Sequence, residues 1–136
     1  MSKEINPVTK NPKLALAVMV GASIGVLGAE AIHAQQTKVA PGYVIAEVEV
    51  TDPATMKKYG EQVPATLAPF NHHFVVLGGN PQSLEGPPAK QIVIIAFDSV
   101  AKARQWYESP AYAAIKPFRL SAATSRLFIA EGVAPE

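Results

Sequence analysis

Gln91-Ile92-Val93-Ile94-Ile95-Ala96-Phe97 is the stretch that decides the fold, because it is apolar on both of the faces that a strand presents. A strand on a half-exposed sheet alternates apolar with polar residues, whereas one without alternation is covered on both sides and central in its sheet. Its flanks set its ends. Ahead of it, Pro81 to Lys90 holds Pro81, Pro87, Pro88 and Gly86 and reads as a connecting loop. Behind it, Asp98-Ser99 caps a helix that starts at Val100, with Val100, Ala103 and Tyr107 on its inner face and Trp106 beside them.

Working outward, Tyr43 to Val50 alternates, with Val44, Ala46, Val48 and Val50 on one side and Tyr43, Ile45, Glu47 and Glu49 on the other. In Thr51-Asp52-Pro53, Asp52 is placed to accept the free N–H groups of a first helical turn, and Pro53 sits where a missing N–H costs nothing. Met56, Tyr59, Val63 and Leu67 give that helix an apolar face, and Pro64 predicts a break or kink near Val63. His73 to Leu77 is a second strand, closed by Gly78-Gly79-Asn80-Pro81. On the far side, Ser109-Pro110 stops the second helical piece and caps a short one reaching about Ala114. A last strand follows from about Ser125 to Glu131.

Short connections and right-handed crossovers fold this β-α-β-β-α-β order into one antiparallel four-stranded sheet with its helices on one face, an α+β domain. With Val93, Ile95 and Phe97 turned to the helices, Ile45, Val75, Leu77, Ile92, Ile94 and Ala96 are left on the opposite face. An apolar sheet face of that size marks an interface. Two copies packed face to face across a two-fold axis bury it, so a homodimer is expected.

The first residues are a separate object. Lys3, Lys10 and Lys13 precede an uncharged apolar run from Leu14 to Ala29, followed by Ile32-His33-Ala34, which is the layout of an export signal with cleavage after Ala34. The run is shorter than the ~20 residues that cross a hydrocarbon core. Residues 1–34 are therefore expected to be a signal peptide, 35–41 a flexible leader and 42–133 the folded domain, in a periplasmic or secreted protein. Only an uncleaved signal would tie it to a membrane. Removing Met1 to Ala34 leaves equal numbers of basic and acidic side chains, and only Lys57-Lys58 are adjacent, so no groove for nucleic acid is expected. The absence of cysteine excludes disulfide scaffolds, thiolate metal sites and cysteine nucleophiles, and suits an oxidising compartment.

Several segments together resemble one bacterial family, domain of unknown function 1330 (DUF1330). They are Pro41 to Ala46 with Val50-Thr51-Asp52-Pro53, Phe74 to Gly79, Ile95-Ala96-Phe97-Asp98-Ser99, and Trp106-Tyr107-Glu108-Ser109-Pro110-Ala111-Tyr112 with Lys116-Pro117-Phe118-Arg119. The resemblance covers Pro41 to Val133 and implies a ferredoxin-like subunit of the dimeric α/β-barrel type, but no reaction. Leu77 and Ala96 stand where the family pattern usually has Arg and Glu, and both positions are expected on the barrel-facing side. Loss of both charges is physically coherent, because one buried charge without its partner costs far more than an apolar pair.

Few residues carry candidate chemistry. His72 and His73 are the only histidines after Ala34 and, being adjacent in a strand, point to opposite faces, so no metal site is expected from them. His73 and a desolvated Glu47 are the candidate catalytic bases, with Glu49 beside Glu47 on the non-helical face. Tyr59, Trp106, Tyr112 and Arg119 are the candidate ligand-binding residues, with Ser109 near them; Arg119 brings a fork that suits carboxylates. No Gly-x-Ser-x-Gly elbow or phosphate loop is present, and no cofactor is expected. The expected function is binding of a small apolar or aromatic ligand by a homodimer. The alternative is a cofactor-independent monooxygenase or isomerase of the dimeric α/β-barrel type.

Overall fold

The computed structural model describes residues 38–136, and the expected signal peptide and residues 35–37 of the expected leader lie outside the described residues. The described chain runs β1 (Gly42–Val50), α1 (Pro53–Leu67), β2 (His72–Gly78), β3 (Gln91–Phe97), α2 (Val100–Tyr107), α3 (Pro110–Ala122) and β4 (Ala123–Glu131). The strands form one antiparallel sheet in the order β2-β3-β1-β4, so the uninterrupted apolar segment is central and the fold is ferredoxin-like α+β. Within one chain the sheet is open, with β2 and β4 at its edges, and not a closed barrel. Among the described residues no helix is long and apolar enough to cross a membrane.

Each helix starts on a side-chain cap. The Asp52 carboxylate accepts from the backbone N–H groups of Ala54 and Thr55, both at 3.1 Å, and Ser99 and Ser109 hydroxyls cap α2 and α3 from Lys102 and Tyr112, each at 3.2 Å. Both prolines lie inside helices. α1 is one helix through Pro64 rather than two pieces, and α3 continues through Pro117 to Ala122, where the sequence predicts a short helix ending near Ala114. Proline removes the N–H that would reach the carbonyl four residues earlier, and here those residues, Gly60 and Ala113, are exposed, so water can take the freed carbonyl. The gain is the rest of the buried face of α3, Ile115, Arg119 and Ala122, which a helix ending at Ala114 would forfeit.

The core lies between the helices and the Val44/Ile95/Phe97 face of the sheet. At its centre the Trp106 and Tyr112 rings stand 4.3 Å apart, with Phe97 5.7 Å from Trp106. Trp106, rather than Val100 or Tyr107, is the residue α2 buries most deeply, together with Ala103. Its indole N–H donates to Thr66 Oγ1 at 3.0 Å, and the Thr66 hydroxyl donates to the Val63 carbonyl at 2.8 Å. Thr66→Val keeps the shape and strands the buried indole N–H, so it should lower unfolding free energy by about 1–3 kcal/mol in denaturant titrations, while Thr66→Ser should restore most of it.

The sheet also corrects one face assignment. His72, His73 and Phe74 pair with Phe97, Ala96 and Ile95, but Val76 pairs with Ile94 and Leu77 with Val93, so Val75 is an extra residue in a bulge. A bulge shifts the two-residue period by one. Leu77 therefore faces the helix side with Val93, not the open face expected for it, and Val76 takes its place beside Ile94. Ala96 does lie on the open face, between Tyr43 and His73.

Candidate functional site

α1 leans on α3 more closely than on the sheet, and the gap beneath it is a cavity of about 340 Å³. Small and branched side chains make its floor, among them Val44 and Ala46 of β1, Val93 and Ile95 of β3 and Leu127 of β4. Met56, Tyr59 and Val63 roof it from α1, and Phe74 and Leu77 of edge strand β2 stand, both exposed, on its open side. Trp106 and Arg119 close the inner end. The side chains that β1 and β3 turn to the helices form this floor, and the bulge at Val75 turns Leu77 toward the cavity.

Apart from Gln91 at the margin, the polar groups of the lining gather at one place. The Tyr59 and Tyr112 hydroxyls share a hydrogen bond of 3.1 Å, Arg119 Nε donates to the Tyr112 hydroxyl at 3.3 Å, and Arg119 Nη1 donates to Ser125 Oγ. Arg119 is only 5% exposed and Tyr112 is fully buried. Burial, then the neighbouring Tyr112 hydroxyl, pushes the Tyr59 phenol above its ordinary range, against a smaller opposite pull from Arg119. Tyr59 is thus a neutral hydroxyl at physiological pH, able to donate or accept.

Of the four residues expected to bind ligand, Tyr59, Trp106 and Arg119 line the cavity and Tyr112 lies behind them as the brace between the other two polar groups. Ser109 is spent as the cap of α3. The two candidate bases are not brought to this cavity. Glu47 lies on the opposite face of the sheet and accepts from Arg126 at 2.9 Å. Its neighbour Glu49 is paired with Lys90 at 2.6 Å, and the hydrogen bond and charge of Lys90 hold that carboxyl below its usual range. His73 is exposed beside Ala96 on that same face, and the His72 ring bonds the Phe70 carbonyl at 2.8 Å. Among the described residues no cluster of three or more histidine or acidic side chains is placed to hold a metal ion.

Sequence reasoning missed Ser125 and the β2 pair Phe74 and Leu77. Ser125 was legible in principle, since it pairs with Val48 on the inner face of β4.

Known structures resemble this architecture at low identity. RPA0582, a protein of unknown function from Rhodopseudomonas palustris, is 19% identical, with a TM-score of 0.56 over 81% of this chain and 95% of its own. SnoaB, a cofactor-independent oxygenase from Streptomyces nogalater, is 13% identical with a TM-score of 0.49, over 72% of this chain and 100% of its own. A dimeric ferredoxin-like protein of unknown function from Thermobifida fusca is 16% identical with a TM-score of 0.45, over 67% and 92%. No curated protein matches the chain. The RPA0582 likeness shows the fold, and the model of the domain of unknown function DUF1330 matches residues 41–133, so the chain belongs to the DUF1330 family.

Proposed function

We propose that the domain binds a small, mainly apolar or aromatic molecule in the cavity between α1 and the sheet. The observation that carries this reading is the cavity of about 340 Å³, apolar along its floor and polar, apart from Gln91 at the margin, where Tyr59 and Arg119 meet. Ligand sites are mostly apolar clefts of this size range with a few placed polar groups. Binding is preferred to cofactor-independent oxygenation or isomerisation because Glu47 and His73, the candidate bases for such chemistry, stand on the other side of the sheet. In the same reading the protein is exported, on the strength of the layout of residues 1–34, and works as a homodimer. The open sheet face supports the dimer: Tyr43, Ile45, Val76, Ile92 and Ile94 are partly exposed with no helix over them, and the charged pairs Glu47–Arg126 and Glu49–Lys90 lie beyond them.

Native mass spectrometry of protein purified from its own compartment tests the cavity. A retained small molecule is the expected result. Ala46→Phe, which directs a ring from the floor into the cavity, should abolish retention while the circular dichroism spectrum stays unchanged. Equal retention by the variant would place the molecule elsewhere.

A further inference from the structure

Arg119 is a buried cation without an acid. It is 5% exposed, and none of the ion pairs among the described residues includes it. Of its five N–H donors, Nε is engaged by the Tyr112 hydroxyl and one proton of Nη1 by Ser125 Oγ, both neutral groups, and the side chain lines the cavity. It belongs to the last turn of α3, whose C-terminus supplies only a fraction of a negative charge. A charge taken out of water needs a partner or it is a net loss to the fold. Tyr59, a neutral hydroxyl at the same spot, adds a second donor.

Resting on the cavity reading above, we propose that the ligand is an amphiphilic monocarboxylate. Its acid group takes the free edge of the Arg119 guanidinium with the Tyr59 hydroxyl as second donor, and its apolar body runs over Ala46, Val93 and Ile95 toward Phe74 and Leu77. One fork meets one carboxylate bidentately, and a single cation balances a single negative charge. The rest of the lining selects the other half of the molecule: apart from Gln91 at the margin, it offers aliphatic and aromatic side chains with no group to solvate a second charge or a sugar.

The probes are decanoate and 1-decanol, equal in chain and different in head group, titrated below their aggregation concentrations into the full-length protein. Binding is read by calorimetry and by the fluorescence of Trp106, the single tryptophan of the chain, which lines the cavity. Decanoate is expected to bind at least tenfold more tightly than decanol, and Arg119→Met to erase that preference while decanol binding persists. The wild-type comparison needs no variant, so it decides the matter even where Arg119→Met fails to fold. Equal affinities for the two probes would overturn the carboxylate assignment and leave the cavity as a binding site. Binding of neither would overturn both.

Discussion

A folded monomer is the expected product of Ile94→Lys. Ile94 sits on the open face of β3 between Ile45 of β1 and Val76 of β2, and Ile45 in turn neighbours Phe128 of β4, so the position is the middle of an apolar row that crosses the whole sheet. A few hundred Å² of such surface buried on each copy corresponds to gross hydrophobic driving force on the order of 10 kcal/mol. Association itself consumes about 4–15 kcal/mol, a cost of the same order, so two buried ammonium groups, one from each copy of a two-fold pair, would tip the balance to the monomer. In the monomer the same lysine reaches water at once, so the fold survives. Sedimentation equilibrium at micromolar concentration should give a dimer for the wild type, insensitive to salt because the ion pairs Glu47–Arg126 and Glu49–Lys90 close within one chain, and a monomer with an unchanged circular dichroism spectrum for the variant. A wild-type monomer under these conditions would remove the dimer from the proposal.

The apolar row is legible in the sequence because β1 and β3 announce themselves: one alternates apart from Ile45, the other does not alternate at all, and both conditions follow from which faces are covered. β2 is harder. Its Phe74-Val75-Val76-Leu77 run contains no residue that signals a bulge, and one extra residue is enough to move Leu77 from the face with Ile94 to the face with Val93. Pairing with β3 decides that register, and pairing is a property of two segments at once. The end of α3 is misjudged for a related reason. Local preference condemns Pro64 and Pro117 as helix interiors, but both sit on exposed turns of helices whose other face is buried, and tertiary packing outweighs the lost hydrogen bond.

The site divides along the same line. Tyr59, Trp106 and Arg119 were recoverable because each is chemically out of place on a helical stripe that otherwise reads as core, and a polar tip there must be satisfied by something. The period of β1 puts Glu47 and Glu49 on the non-helical face, where the structure has them. Whether that face holds a cavity or an ordinary pair of salt bridges depends on Arg126 and Lys90, which lie 79 and 41 positions further along the chain, a relation no spacing rule encodes.

Gly42→Ala should destabilise the domain more than any other single methyl addition to its glycines in secondary structure. Gly42 opens β1 and is buried between Phe97 of β3 and Glu131 of β4. A Cβ there would come within 2.5 Å of the Ser99 carbonyl carbon and the Val100 nitrogen. Those atoms are backbone at the cap of α2, so no rotamer change relieves the clash; either β1 or the start of α2 must move, and α2 carries Trp106 into the core. Its φ is not in the left-handed region, so the penalty is one of close approach and not of backbone strain. Overpacking costs about 1–3 kcal/mol where side chains can yield; against fixed backbone at least the upper end of that range is expected, a fall in melting temperature of roughly 10 °C or more for a domain of this size. Gly60→Ala is the internal control. Gly60 lies inside α1 with nothing within 4 Å of an added Cβ, so the same methyl group should raise stability by about 0.5–1 kcal/mol through helix propensity. Thermal melts of the two variants side by side should therefore move in opposite directions, and a Gly42→Ala melt that overlays the wild type would mean that β1 and the cap of α2 do not touch as described.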